Sequence, residues 1–211
     1  MGLVTFLLVG LAPELTRFIV GPKYFFGKRA RNQMKFTETE IMDVYIIEQD
    51  VFKDNRGAFV KTFQESSFAN RGLECDFKES YYTRSREDVI RGMHFQLPPH
   101  DQAKLVTVIQ GVIIDVILDV RADSPTYGKY VSVELSRENR KSIYIPRGCA
   151  HGFGALSELS IAYYMVTSEY SSEYDAGIKY DSFGFDWPIS NPIISDRDKS
   201  FDNFRVFKTS F

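Results

Sequence analysis

Residues 91–104 read Arg-Gly-Met-His-Phe-Gln-Leu-Pro-Pro-His-Asp-Gln-Ala-Lys, placing His94 and Lys104 ten apart in one extended, proline-interrupted segment. An imidazole takes up a proton near neutral pH. An ammonium group in a dry pocket steadies an oxygen on which negative charge develops. Together they are the minimum equipment for removing a proton next to a ketone. Each alone has a plainer reading: a lone histidine is more often a hydrogen-bonded structural residue, and a lysine at a strand edge is more often solvated. The pair needs a scaffold that buries it.

The rest of the chain predicts such a scaffold. From Met42 onward apolar residues recur with a period near two. Residues 44–47 and 58–63 read as strands on either side of the turn-forming Asp54-Asn55-Arg56-Gly57. Residues 104–121 are rich in Val and Ile and broken once by Gly111, which predicts two strands meeting there rather than a helix. Strands follow at 130–135, 142–145 and 160–166, while only 64–70 and the tail around 195–204 read as short helices. Many short strands with few helices predict a mainly β sandwich or barrel. With 15% aromatic residues, a β-rich core or a ring-lined pocket is expected.

Composition removes several function classes. A net charge of −2 without a long basic run gives no field for nucleic acid. Cys75 and Cys149 are the two cysteines; they have no metal-ligand spacing and predict no disulfide framework, which fits a reducing cytoplasm. The stretch 3–12 is apolar but shorter than the roughly 20 residues that span a bilayer, so no membrane span is expected. It also lacks the preceding basic residue and following small-residue site of a secretory signal. Residues 1–33 read as a weakly ordered extension or an upstream start, with a peripheral membrane anchor as the other reading. Residues 34–211 read as one domain.

Several longer blocks narrow the barrel. Gly111 within the strand pair and Pro146-Arg-Gly-Cys-Ala-His151 resemble cupin elements. The blocks R-G-M-H-F-Q at 91–96, A-K-L-V at 103–106, D-S-P-T-Y-G at 123–128 and S-x-E-N-R at 136–140 resemble one cupin family more closely. So do I-P-x-G-x-A-H-G-F at 145–153, the tyrosines 164 and 170, D-W-P at 186–188 and S-D-R-D at 195–198. That family is the dTDP-4-dehydrorhamnose 3,5-epimerases, and the likeness runs from about residue 44 to 198. It implies a cupin or jelly-roll barrel and a homodimer working in deoxysugar and cell-surface polysaccharide (O-antigen) biosynthesis.

The resemblance also implies a chemistry. The substrate would be a nucleotide-linked 4-keto-6-deoxyhexose, whose C4 ketone acidifies the hydrogens on C3 and C5. In the gluco configuration both lie on one ring face, so one base serves both carbons and an acid on the other face returns each proton inverted. By resemblance His94 is the base, Asp198 the carboxylate that orients it, Lys104 the enolate stabiliser and Tyr164 the acid. Tyr163 points the other way along a strand and reads as packing. Arg91 and His151 are implied as diphosphate contacts, with Gln96 in the substrate-binding set. Arg56 and Phe59 are residues the family lends across a dimer interface to the partner's nucleotide, and Tyr170 flanks the base. Proton transfers alone imply no redox cofactor and no metal.

Other readings stay open at this point. A metal cupin would use His94, His100 and His151, the three histidines of the chain, but the H-x-H pair and spaced Glu of metal cupins are absent. A sugar-nucleotide binding cupin without catalysis should have lost His94, Tyr164 or Asp198. A 3,4-ketoisomerase would act on the same substrate class. The chain also departs from the family pattern: Lys61 replaces a Glu, Glu79 and Tyr81 replace the Gln and Asn before the R-G-x-H block, and Met165 follows Tyr164 where the family has Lys. A lysine has only donors, so the carrier is open between dTDP, CDP with epimerisation at C3 alone, and GDP. Glu79 is expected to pair with Lys61 or to shift the substrate's pose.

Overall fold

Short alternating segments, each too small to bury its own face, combine into two facing sheets. The structure, a computed structural model, describes residues 34–211. Among these the strands are β1 Lys35–Glu38, β2 Tyr45–Glu48, β3 Asp50–Asp54, β4 Gly57–Lys61, β5 Glu79–Arg86, β6 Ile90–Gln96, β7 Lys104–Gln110, β8 Val112–Asp119, β9 Tyr130–Ser136, β10 Lys141–Ile145, β11 Cys149–Ala155, β12 Leu159–Val166 and β13 Asp175–Gly177. One sheet runs β1-β2-β10-β7-β12-β5, the other β13-β6-β11-β8-β9, and β3 with β4 forms a separate hairpin. This is the mainly β barrel expected of a jelly roll. The extension expected over 1–33 lies outside the described residues. Among the described residues, no helix is long and apolar enough to cross a membrane.

The register explains which side chains meet inside. Across the first sheet Ile46, Ile143, Val106, Tyr164 and Tyr81 stand in one row of paired positions. Side chains alternate faces along a strand, so this row points into the barrel. The neighbouring row, Ile47, Ser142, Thr107, Tyr163 and Tyr82, points out. In the second sheet His94 pairs with His151, and His151 with Ile117. The interior is filled by a cluster including Val106, Val108, Ile113, Ile117, Phe153 and Tyr164.

Two further clusters close the outside. Behind the first sheet, helix α1 (Glu65–Ala69) buries Phe68 completely, with Phe63 and Phe36 at ring distances of 5.0 and 5.2 Å. Behind the second sheet, Phe207 and Phe211 of the tail pack against Phe95 at 5.3 and 5.9 Å. Gly111 turns β7 into β8 at φ +77°, and a Cβ there would run into the Leu159 carbonyl. A side chain at this junction would force the two sheets apart.

The tail helix is shorter than predicted: α2 covers only Asp196–Lys199. The Ser195 hydroxyl accepts from the Asp198 N–H and starts it, and the chain then returns to the barrel, where the Lys179 N–H donates to the Asp202 carbonyl. Strand β5 escaped the sequence reading because Glu-Ser-Tyr-Tyr-Thr-Arg-Ser-Arg shows no apolar alternation. Its inner face carries Glu79, Tyr81, Thr83 and Ser85 instead of aliphatic side chains.

Candidate active site

Four elements, from both sheets and the tail, converge on the barrel interior. His94 stands on β6, and its Nε2 lies 2.9 Å from Asp198 Oδ1 on α2. Asp198 is 3% exposed, and its second oxygen accepts from the Gly92 N–H at 3.1 Å. Gly92 has φ +140°, and a Cβ there would collide with the Gly152 Cα. Glycine at this position lets β6 and β11 close up and turns its N–H towards the carboxylate. Burial alone would raise the Asp198 pKa, but the hydrogen bond and charge of His94, with help from Gly92 and Ser195, hold it below the ordinary value. Burial pushes the His94 pKa down, against the opposing pull of Asp198. The resting imidazole is therefore neutral near pH 7, as a base must be. Asp198→Asn should keep nucleotide binding while lowering turnover by roughly 100-fold or more, because the ring loses its fixed tautomer. Turnover at the wild-type level in a kcat and dTDP Kd comparison would remove Asp198 from this role.

Lys104 begins β7 and is 5% exposed, with Nζ donating to the His94 carbonyl at 3.1 Å. Burial lowers its pKa to about 8, against the charges of Asp175 and Asp115. Tyr164 on β12 is 4% exposed and stacks on Tyr81 at 4.8 Å and 16°. Burial, then the neighbouring Tyr81 and Asp115, holds its phenol well above the ordinary value. A proton donor so placed gives up its proton only to a strong base such as a carbanion. Tyr163 turns outward opposite Tyr82, as expected.

Some residues that were not foreseen complete the site. Asp115 on β8 is fully buried and bonds His151 Nε2 at 2.8 Å; its Oδ1 has no hydrogen-bond partner among the described residues. Nothing in the Val-Ile run marked it as more than an inward-facing position. Asp175 on β13 pairs with Arg197 at 2.5 Å, and Phe201 packs edge-on to His94 at 5.8 Å. Asp175 lies outside the predicted strands and Phe201 in the tail that read as a short helix, so neither was marked for the site.

Other residues sit differently from expectation. His151 is 4% exposed and packs edge-on against Tyr164 at 5.9 Å, deep in the barrel. Gln96 is buried, with Nε2 donating to the carbonyls of His100 and Glu169 and Oε1 accepting from the Ser171 N–H. Its amide holds two loops in place. Glu79 does not pair with Lys61. It accepts from the Tyr170 N–H at 2.7 Å, while Lys61 donates to Gln64 at the base of the hairpin. Hairpin and barrel mouth are separate parts of one chain, which keeps the two charges apart.

Arg91 is held by Ser85 Oγ at 3.0 Å and stays half-buried. Beside the tyrosine stack, Glu79, Tyr81, Gln102, Val166 and Tyr170 line a cavity of about 230 Å³. Arg56 and Phe59 do not join the site of their own chain: Arg56 bonds Asp54, and Phe59 is 63% exposed against Phe52. His100 packs on Tyr174 at 4.7 Å. Among the described residues, no three or more His, Cys, Asp or Glu are grouped to hold a metal.

Comparison with known proteins agrees with this geometry. The family model described as dTDP-4-dehydrorhamnose 3,5-epimerase matches residues 38–205. The enzyme of that name from Methanothermobacter thermautotrophicus is 43% identical over 178 residues, covering 82% of this chain and 96% of its own. The one from Shigella flexneri is 40% identical over 168 residues, covering 78% and 93%. Among solved structures, the dTDP-6-deoxy-D-glucose-3,5-epimerase of Legionella pneumophila, in complex with dTDP-4-keto-L-rhamnose, superimposes with a TM-score of 0.80 at 34% identity, covering 83% and 95%.

Proposed function

This chain belongs to the dTDP-4-dehydrorhamnose 3,5-epimerase family, and on that premise we propose that it inverts C3 and C5 of a dTDP-linked 4-keto-6-deoxyhexose. It is an epimerase of the isomerase class. The observation that carries the reading is the His94–Asp198 pair at 2.9 Å, facing the same interior as Lys104 and Tyr164. His94 removes the proton next to the ketone, and Asp198 steadies the imidazolium that forms. Lys104 holds the C4 oxygen as it becomes an enolate oxygen. Tyr164 returns a proton to the opposite ring face. Both steps move protons only, so the chemistry calls for no electron carrier.

The carrier follows from the relatives, whose names give dTDP sugars; they favour neither a CDP-linked C3-only epimerase nor a 3,4-ketoisomerase. Arg91 takes the diphosphate, and Tyr170 flanks the base over the cavity it shares with Tyr81. A second copy of the chain completes the site. Its support is the exposed hairpin carrying Phe52, Phe59 and Arg56, together with an outer sheet face where Tyr82 and Ile109 are 68% and 54% exposed. Such rings on one sheet face fit a partner surface better than water. The free cysteines Cys75 and Cys149 accord with the cytoplasm as the place of work.

Turnover in deuterated water, followed by NMR, tests the reading. Label should enter at C3 and C5 with the carbonyl left at C4. Label at C3 alone, or a moved carbonyl, would overturn it. In a titration dTDP should bind more tightly than CDP or GDP; a preference for CDP would reopen the role of Lys61.

A further inference from the structure

One base and one acid serving two carbons must be reset between them. After the first inversion His94 holds the abstracted proton, and Tyr164, having donated its own, is a phenolate in a buried place. Solvent has poor access to that oxygen, since Tyr164 is 4% exposed. One side chain neighbours both groups. His151 is the cross-strand partner of His94, on the same inner wall, where paired side chains have Cβ atoms about 5 Å apart. On its other side it packs against the Tyr164 ring at 5.9 Å. Its Nε2 is fixed by Asp115 at 2.8 Å, which leaves Nδ1 for exchange.

We propose that His151, positioned by Asp115, carries the proton from His94 back to Tyr164 between the two inversions. The step rests on the epimerase reading above and balances within the site. The N–H bond of the His94 imidazolium breaks, and its proton joins the lone pair on His151 Nδ1. That proton then passes from Nδ1 to the Tyr164 phenolate oxygen. His94 and His151 end neutral, Tyr164 ends as a phenol, and no other reactant is consumed. Asp115 is well placed to assist, because a buried carboxylate bonded to Nε2 supports the positive charge that passes through His151. A histidine placed only for packing would not need a fully buried carboxylate as its partner.

The test uses the full-length protein with substrate deuterated at C3 and C5. With enzyme in excess, His151→Ala should break the first C–D bond within about threefold of the wild-type rate, while steady-state turnover falls by roughly 100-fold. Imidazole added to the buffer should restore much of that turnover, since it can enter the vacated space and carry the proton. His151→Gln fills the space; it should show the same loss without rescue, and an unchanged Kd for dTDP will show that the barrel is intact. Asp115→Asn should lower kcat without raising KM. A parallel loss of bond breaking and turnover overturns the relay. So does a raised KM at unchanged kcat, which would mark His151 as a diphosphate contact, or the absence of rescue by imidazole. Failure of the wild-type protein to break either C–D bond would instead sink the epimerase reading itself.

Discussion

His94→Ala is expected to suppress exchange at C3 and C5 together, by about 10²–10⁴. In the proposed mechanism His94, with its own carboxylate at 2.9 Å, takes both protons from the sugar, and Lys104 is pushed down only to about 8. Binding of dTDP should survive, because the base removes protons from the sugar and not from the nucleotide. The partner carboxylate keeps its Gly92 N–H and its place at the start of α2, so the fold should survive too. NMR in deuterated water reads both positions at once. Exchange near the wild-type rate at either carbon would mean that His94 does not serve both.

Lys104→Met should cost turnover nearly as heavily, by roughly 10²–10³, because it deletes the charge aimed at the enolate oxygen and keeps the volume. Stability should hold or rise, since an ammonium group in the interior carries a desolvation penalty that a thioether does not. The pH profile gives a separate reading. Lys104 acts as a cation; with its pKa near 8, that cation is present at neutral pH and is lost as pH rises through about 8. His94 acts as a neutral base with its pKa lowered from 6.5, so activity is lost as pH falls through that depressed value. The wild-type profile should be bell-shaped, and the alkaline limb should disappear in Lys104→Met. An unchanged alkaline limb would assign it to another group.

Much of this site was legible in the sequence because its residues sit in dense blocks. The Arg91 to Lys104 run and the Ser195 to Asp198 run carry the proposed base, its carboxylate and the enolate cation, and the structure brings them together. The barrel was legible from the β-branched and alternating runs of β7 to β10 and β12, while β11, buried throughout, shows no alternation. Strand β5 was not, since its inner face is polar. Asp115 hid in a run whose Val and Ile already accounted for the pattern, and only three-dimensional pairing with His151 reveals it. Gln96 shows the same limit: its place in the motif marked it for substrate, and only the structure shows that its amide also bonds loop carbonyls. A sequence gives the type of a polar group but not which partner reaches it first.

The two adjacent tyrosines of β12 carry a consequence for how the gene can change. Tyr163 and Tyr164 are the same chemical group, separated only by the phase of a two-residue repeat. Deleting one residue from β12 upstream of them would leave a strand that still reads Tyr-Tyr yet turns a phenol from the outer face inward, at the wrong height on the wall. A substitution at the outward-facing Tyr163 is therefore milder than a single-codon insertion or deletion in the strand. Length changes should be tolerated outside β12 rather than within it, because only there do they leave the phase of the strand unmoved.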